Sequence, residues 1–250
     1  MLTLKSKREI AIMKEAGRIV ELAHIAVQEA IKPGVSTYEL DKIAYEAIIS
    51  QGAIPSFLNY HGYPASVCVS VNDEVVHGIP NKHRILQDGD IVSLDAGLIY
   101  KGYHSDAART HAVGTISKEA QQLIDVTRQS FFEGIKYAKA GNRLHDISNA
   151  IAAYAESFGY GVVRDLVGHG IGTELHEDPQ IPNFKQLRRG MKLMPGMTLA
   201  IEPMINAGTW EVCWLDDEWT VVSEDGSLSA HYENTVLITD GEPEILTLKK

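Results

Sequence analysis

Cysteine is scarce: Cys68 and Cys213 are the only two in 250 residues, and they form no CxxC pair. That excludes a disulfide framework or a structural zinc site built on thiolates, and it suits a reducing compartment. Positive charge is also short, with 23 Lys and Arg against 33 Asp and Glu, a net charge of −10 and no basic run. Nucleic acid and anionic membranes are therefore not expected as main partners. No apolar run reaches transmembrane length. The first twenty residues, MLTLKSKREIAIMKEAGRIV, are charged and helical in period, unlike a signal peptide. A cytoplasmic enzyme or binding protein is the expectation. Several catalytic signatures are missing: GxSxG, GxGxxG and GxxxxGK[ST] do not occur, and HEDPQ lacks the second histidine of HExxH.

What is present has an internal order. Residues 6–31 carry apolar side chains at helical spacing, and the KPG at 32–34 stops them. Ser36 to Glu39 reads as a capping box, opening a second helix to Gln51 that ends at Gly52. Between 66 and 113 the pattern changes to short apolar runs with turn residues: SVCVSV, DIVSLDAGLIY and AARTHAV read as strands. The order then recurs. Residues 118–139 are helical, Leu144 to Phe158 gives another helix, and GMTLAIEPMI and HYENTVLIT read as strands. An offset of 107 aligns the halves, taking Lys32 to Lys139, Gly52 to Gly159 and Gly89 to Gly196. No linker separates them, so the expectation is one domain over 1–250 with pseudo-symmetric halves of about 1–115 and 116–250.

The same offset takes Asp95 to Glu202, an acid within an apolar strand in both copies. If the turn of VSLDAGLIYKGYHSDAAR is centred between Tyr100 and Lys101, Asp95 directly opposes Asp106. Two carboxylates desolvated together either raise one pKa strongly or require a cation. Glu202 in LAIEPMI and Glu233 in AHYENTV are again acids in strand-like surroundings. Burying an isolated carboxylate costs on the order of several kcal/mol. Nearby bases such as Arg109 are too few to neutralise four acids, so divalent metal is the economical reading. Carboxylates with one imidazole suit Mn, Fe, Co or Zn. His169, between glycines in GHGIGTELHEDP, can supply the imidazole, with His176 seven residues on and His77 in VVHGIPN. Taken singly, each histidine is more often structural.

Together, YHGYPASVCVSVNDEVVHGIPN, SLDAG, HSDAART, GHGIG…LHEDP, AIEPM and SAHYENTV resemble the type I methionine aminopeptidases of peptidase family M24. The motifs fall in family order and span essentially residues 1–248. The resemblance implies an α+β pita-bread fold, pseudo-twofold duplicated halves around a curved antiparallel sheet. It implies a metal-dependent hydrolase that removes the N-terminal methionine of nascent polypeptides, preferring a small second residue. Asp95, Asp106, His169, Glu202 and Glu233 match the ligands of two divalent ions, Asp106 and Glu233 bridging, with the metal among Co, Mn, Fe and Zn. His77 and His176 match the catalytic histidines, and Glu202 doubles as proton acceptor. Tyr60, Tyr63, Cys68 and Trp219, with His77 and His176, match substrate-binding positions. Asn72 and Ser229 match a monovalent Na or K site. A monomer in transient contact with ribosomes is implied as well. Two positions depart from the pattern: Leu175 stands where a pocket phenylalanine is common, and Phe57 where some members have a small residue or cysteine. The zinc-binding extension of some eukaryotic relatives has no counterpart here. A proline-specific peptidase of the same fold is the second reading, although those usually carry an extra N-terminal domain. A peptide-capturing, non-cleaving relative is the third, although such relatives lose ligands that this chain keeps.

Overall fold

The computed structural model describes residues 3–248; the extreme ends of the expected 1–250 domain lie outside the described residues. Serine caps open three of the α-helices, one of them at the capping box expected from the sequence. Helix α1 spans Lys7–Ala30, with the Ser6 hydroxyl accepting from Glu9 N–H and the Glu9 carboxylate accepting from Ser6 N–H at 2.6 Å. Helix α2, Thr37–Ser50, has the capping box of Ser36 and Glu39 that their spacing predicts. Helix α3, Lys118–Ile135, starts on Ser117 and ends four residues before the reach expected from its periodicity. Helix α4 covers Leu144–Glu156.

The helices form an outer layer over antiparallel strands. Val27, Leu40 and Ala44 of α1 and α2 pack on Val69, Val92 and Leu94, while Phe131, Ile147 and Ile151 of α3 and α4 pack on Leu199, Ile201 and Val236. Each strand thus turns one set of alternate residues to the helices and the other set inward. In the first half, Ile91–Tyr100 pairs along one edge with Tyr103–Ala112 and along the other with Cys68–Val71 and then Ile54–Pro55. In the second half, Thr198–Ile201 lies between Gly168–Gly170 and Asn234–Leu237.

Two expectations about the strands need correction. The turn of the long hairpin is Lys101–Gly102, with φ of +49° and +82°, so Tyr100 pairs with Tyr103 and not with Lys101. A two-residue turn with both central residues left-handed matches the twist of the strands it joins, and glycine makes that conformation accessible. Consequently Asp95 pairs with Ala108 and Asp106 with Gly97. The two aspartates are diagonal neighbours on one face rather than directly opposed. The segments 196–205 and 231–239 are each interrupted: Thr198–Ile201 is followed by Met204–Asn206 in another sheet, and Ser229–His231 by Asn234–Leu237. Pro203 lacks the N–H that a continuous ladder needs there.

The two sheets are joined along Tyr103–Ala112. Ala108 and Glu233 exchange backbone hydrogen bonds at 3.3 and 2.9 Å. Two residues to one side, the Thr235 hydroxyl accepts from Asp106 N–H and donates to Asp106 C=O; two residues to the other, the Thr110 hydroxyl accepts from His231 N–H and donates to His231 C=O.

Candidate active site

The strand registers alone place the acids. Cys68 pairs with Asp95, Asp95 with Ala108, and Ala108 with Glu233. Glu233 in turn faces Glu202 across the interruption, because Asn234 pairs with Ile201 and Met204 with His231 on either side of it. The neighbouring row runs Gly97, Asp106, Thr235, Ala200, His169. Side chains alternate along a strand, so all five candidate ligands lie on one face in two adjacent rows. Between them sit Ala108, Thr235 and Ala200, and Gly97 ends the second row beside Asp106. A Cβ on Gly97 would come within 2.7 Å of the Phe57 ring and 3.2 Å of Asp106 Oδ1.

The ligand atoms converge. One donor atom each from Asp106, His169 and Glu233 lies within 4.8 Å of the others, and all three residues are buried. Glu202 Oε1 is 3.6 Å from His169 Nε2. His169 Nδ1 donates to the Gly170 carbonyl at 2.9 Å, which leaves Nε2 bare toward the acids. Burial, then the neighbouring His176, holds the His169 ring near a pKa of about 3, so it is neutral and able to ligate. Burial is also the largest influence on all four carboxyl groups and pushes each upward. Asp106 and Glu202 push Asp95 further, and Asp106 pushes Glu202 and Glu233 further.

The residues fit a divalent cation. Asp95 Oδ1, Asp106 Oδ1 and Glu233 Oε1 are buried and meet no hydrogen-bond donor. Arg109 does not neutralise them. Its guanidinium donates to the backbone carbonyls of Ala108 and Glu233, to Asn234 Oδ1 at 2.7 Å and to the Thr247 carbonyl at 3.1 Å. Carboxylate oxygens with one imidazole are a donor set for hard or borderline divalent ions.

These groups line a cavity of about 170 Å³ whose remaining wall is apolar: Phe57, Tyr63, Cys68, Leu175 and Trp219 among others. Tyr63 donates to the Gly78 carbonyl at 2.9 Å and meets Trp219 edge to face, the ring centroids 5.1 Å apart. Burial, then Asp95, pushes the Cys68 thiol up, so it stays protonated. At the mouth, Tyr60 Oη is 2.8 Å from His176 Nδ1, and the His176 ring centroid is 4.3 Å from that of His169. His77, at φ +60°, meets Trp219 at 6.4 Å; burial, then His176, lowers its pKa to about 4. Every residue the sequence singled out for metal, catalysis or the pocket lines this one cavity. Asn72 and Ser229 lie apart, linked by Ser229 N–H donating to the Asn72 carbonyl at 2.8 Å.

Three contributions escaped the sequence reading. Tyr60 is a partner of His176 as well as a wall. His231 Nε2 sits 3.8 Å from Glu202 Oε2; its position two before Glu233 put it on the inward face and was the available signal. Val167, Leu166 and Met204 complete the wall, and nothing in their composition marks them.

Residues 11–240 match the model of metallopeptidase family M24, and the chain belongs to that family. Within it, the chain is similar to the methionine aminopeptidase of Clostridium acetobutylicum, 57% identical over 248 residues and 99% of each chain. Its fold matches the crystal structure of methionine aminopeptidase from Thermotoga maritima with a TM-score of 0.98 at 45% identity, covering 100% of both chains. The Xaa-Pro dipeptidase from Bacillus anthracis matches with a TM-score of 0.80 at 28% identity; the match takes in 99% of this chain and 62% of that one. The fold is thus the α+β pita-bread architecture that the motifs led us to expect. Among the described residues, no helix is long and apolar enough to cross a membrane.

Proposed function

We infer that the protein is a methionyl aminopeptidase, a metallo-exopeptidase that hydrolyses the bond after an N-terminal methionine and favours a small second residue. The observation that carries this reading is that five carboxylate and imidazole side chains line one cavity of about 170 Å³ together with an apolar wall. A cavity of that size suits one unbranched side chain. The neutral Cys68 thiol and the aromatic edges of Tyr63 and Trp219 give a thioether soft, polarisable contacts.

Asp95, Asp106, His169, Glu202 and Glu233 would hold two divalent ions, drawn from Mn, Co, Fe and Zn. Bound there, such ions supply Lewis acidity and a water that loses its proton near neutrality. The rest is the work of the chain. Glu202 accepts the proton of the attacking water. Tyr60 keeps its phenol proton, since burial and then Glu174 raise its pKa, and donates it to His176 Nδ1. The His176 proton therefore sits on Nε2, free to donate to the oxyanion of the tetrahedral intermediate. His77, kept neutral by burial, contacts the scissile nitrogen and assists the leaving amine. Asn72 and Ser229 would serve a Na or K ion. The substrate is the N-terminus of nascent polypeptides, met by a cytoplasmic monomer in transient contact with the ribosome.

The test is hydrolysis of Met-Ala-Ser and of Xaa-Pro peptides by chelator-stripped protein with each metal added back. Metal-dependent release of methionine, with Xaa-Pro bonds left intact, is expected. Metal uptake without hydrolysis of either peptide would overturn the reading in favour of peptide capture.

A further inference from the structure

The mechanism leaves the largely buried Arg109 without a task. Arg109 lies on the long hairpin strand next to Ala108, and its side chain is about 12% exposed. Its guanidinium spans three parts of the chain. One nitrogen donates to both carbonyls of the Ala108–Glu233 pair; the other donates to Asn234 Oδ1 and to the Thr247 carbonyl. Its plane lies over the Tyr232 ring, 4.6 Å from the centroid. Glu21 of α1, at 3.7 Å, is the acid paired with it among the described residues.

The clamp falls beside a break in the sheet. Glu233 occupies the interruption between Ser229–His231 and Asn234–Leu237. Tyr232 N–H donates to the Pro203 carbonyl, and proline can return no hydrogen bond. The ladder on that edge skips Glu233, so its backbone depends on the opposite edge, where it exchanges hydrogen bonds with Ala108 and its carbonyl also accepts from Arg109. Thr247 extends the restraint: its hydroxyl donates to Asn234 Oδ1 at 3.0 Å and accepts from Thr235 N–H at 3.1 Å.

We propose that Arg109 is a positioning residue for the metal centre: its planar fork fixes the backbone of Glu233 across the sheet interruption, so that the Glu233 carboxylate is held for metal before any ion arrives. This rests on the metal-site reading above but not on the identity of the substrate. A planar fork with several fixed donors is what a lysine cannot reproduce, and restraints behind a ligand commonly govern 10–100-fold of metal affinity.

The test is calorimetric titration of Mn into chelator-stripped full-length protein, compared with Arg109→Lys, Arg109→Met and Asn234→Ala, each checked by melting temperature. Ten-fold or greater weakening of Mn binding is expected in Arg109→Met. Arg109→Lys should recover only part of it, and Asn234→Ala should show a smaller loss in the same direction. Peptide turnover should approach the unsubstituted value at saturating Mn, because the carboxylate itself is intact. A lower melting temperature with unchanged Mn affinity would make Arg109 a merely structural residue and overturn the proposal. If Arg109→Met fails to fold, unchanged affinity in both Arg109→Lys and Asn234→Ala overturns it equally. Failure of the unsubstituted protein to cleave Met-Ala-Ser would refute the substrate assignment while leaving this comparison of metal affinities intact.

Discussion

The long hairpin and the sheet interruption each deliver two acids to one cleft, by opposite means. In the hairpin, Asp95 and Asp106 sit within unbroken ten-residue strands, diagonal to one another, with Gly97 and Ala108 as their small partners. At the interruption, Glu202 and Glu233 face each other where both strands break beside Pro203, and a buried arginine holds the backbone. A continuous ladder fixes a carboxylate through its own hydrogen bonds. A broken one gains freedom to bring two glutamates together and needs restraint from outside. The metal cluster takes members from both arrangements, Asp106 from one and Glu233 from the other.

The comparison breaks most sharply at the ligands. Asp106→Asn and Glu233→Gln should each reduce Met-Ala-Ser turnover by more than the roughly 10–100-fold typical of residues behind a ligand. In chelator-treated protein each should raise the melting temperature, because a buried carboxyl that must either stay charged or hold a proton against its ordinary pKa is gone. A lower melting temperature would mean that these acids are structural. Next in size, His176→Ala removes the proposed oxyanion donor and should lower kcat by about 10²–10³-fold, with metal affinity unchanged.

A pH series separates the carboxylates from the histidines. The raised carboxyl pKa values mean that the folded metal-free protein keeps protons the unfolded chain loses near pH 4, so this contribution to stability falls as pH rises through the raised values. The buried histidines act the other way. His77 and His111, lowered to about 4, contribute stability that is full above about 6.5 and lost as pH falls toward 4. Between pH 6.5 and 8 only the carboxylates still count. The gain in melting temperature on adding Mn should therefore grow with pH across that window, and a flat response would count against buried, proton-holding ligands.

Smaller still is the join between the sheets. Thr110→Val and Thr235→Val each strip a hydroxyl that accepts and donates at once, leaving backbone groups unpaired; each should cost about 1–3 kcal/mol in chemical denaturation. The least effect is expected from His111→Gln, which should flatten the acid side of the stability curve by at most about 1.4 kcal/mol per pH unit.

Much of this was legible in the sequence. The capping box at Ser36, the repeated order of helices and strands, and the improbability of four acids in apolar strands pointed to the fold and to metal. What was misread turned on backbone hydrogen-bonding detail. Centring the turn one residue early set Asp95 against Asp106, although YKGY, with glycine second in a two-residue turn, carried the correct register. The strand runs through Glu202 and Glu233 were read as continuous because hydrophobic pattern does not register a missing N–H; Pro203 did. Arg109 was weighed as a counter-charge, and only three-dimensional contacts reveal that it grips carbonyl oxygens instead.

The seam along Tyr103–Ala112 has a last consequence. Asp95 precedes it in the chain and Asp106 lies on it, while His169, Glu202 and Glu233 arrive from beyond residue 115, so neither stretch alone owns a coordination sphere. An ion seated in the cleft is therefore a rivet through two plates: its loss should loosen shear between them long before either plate begins to melt.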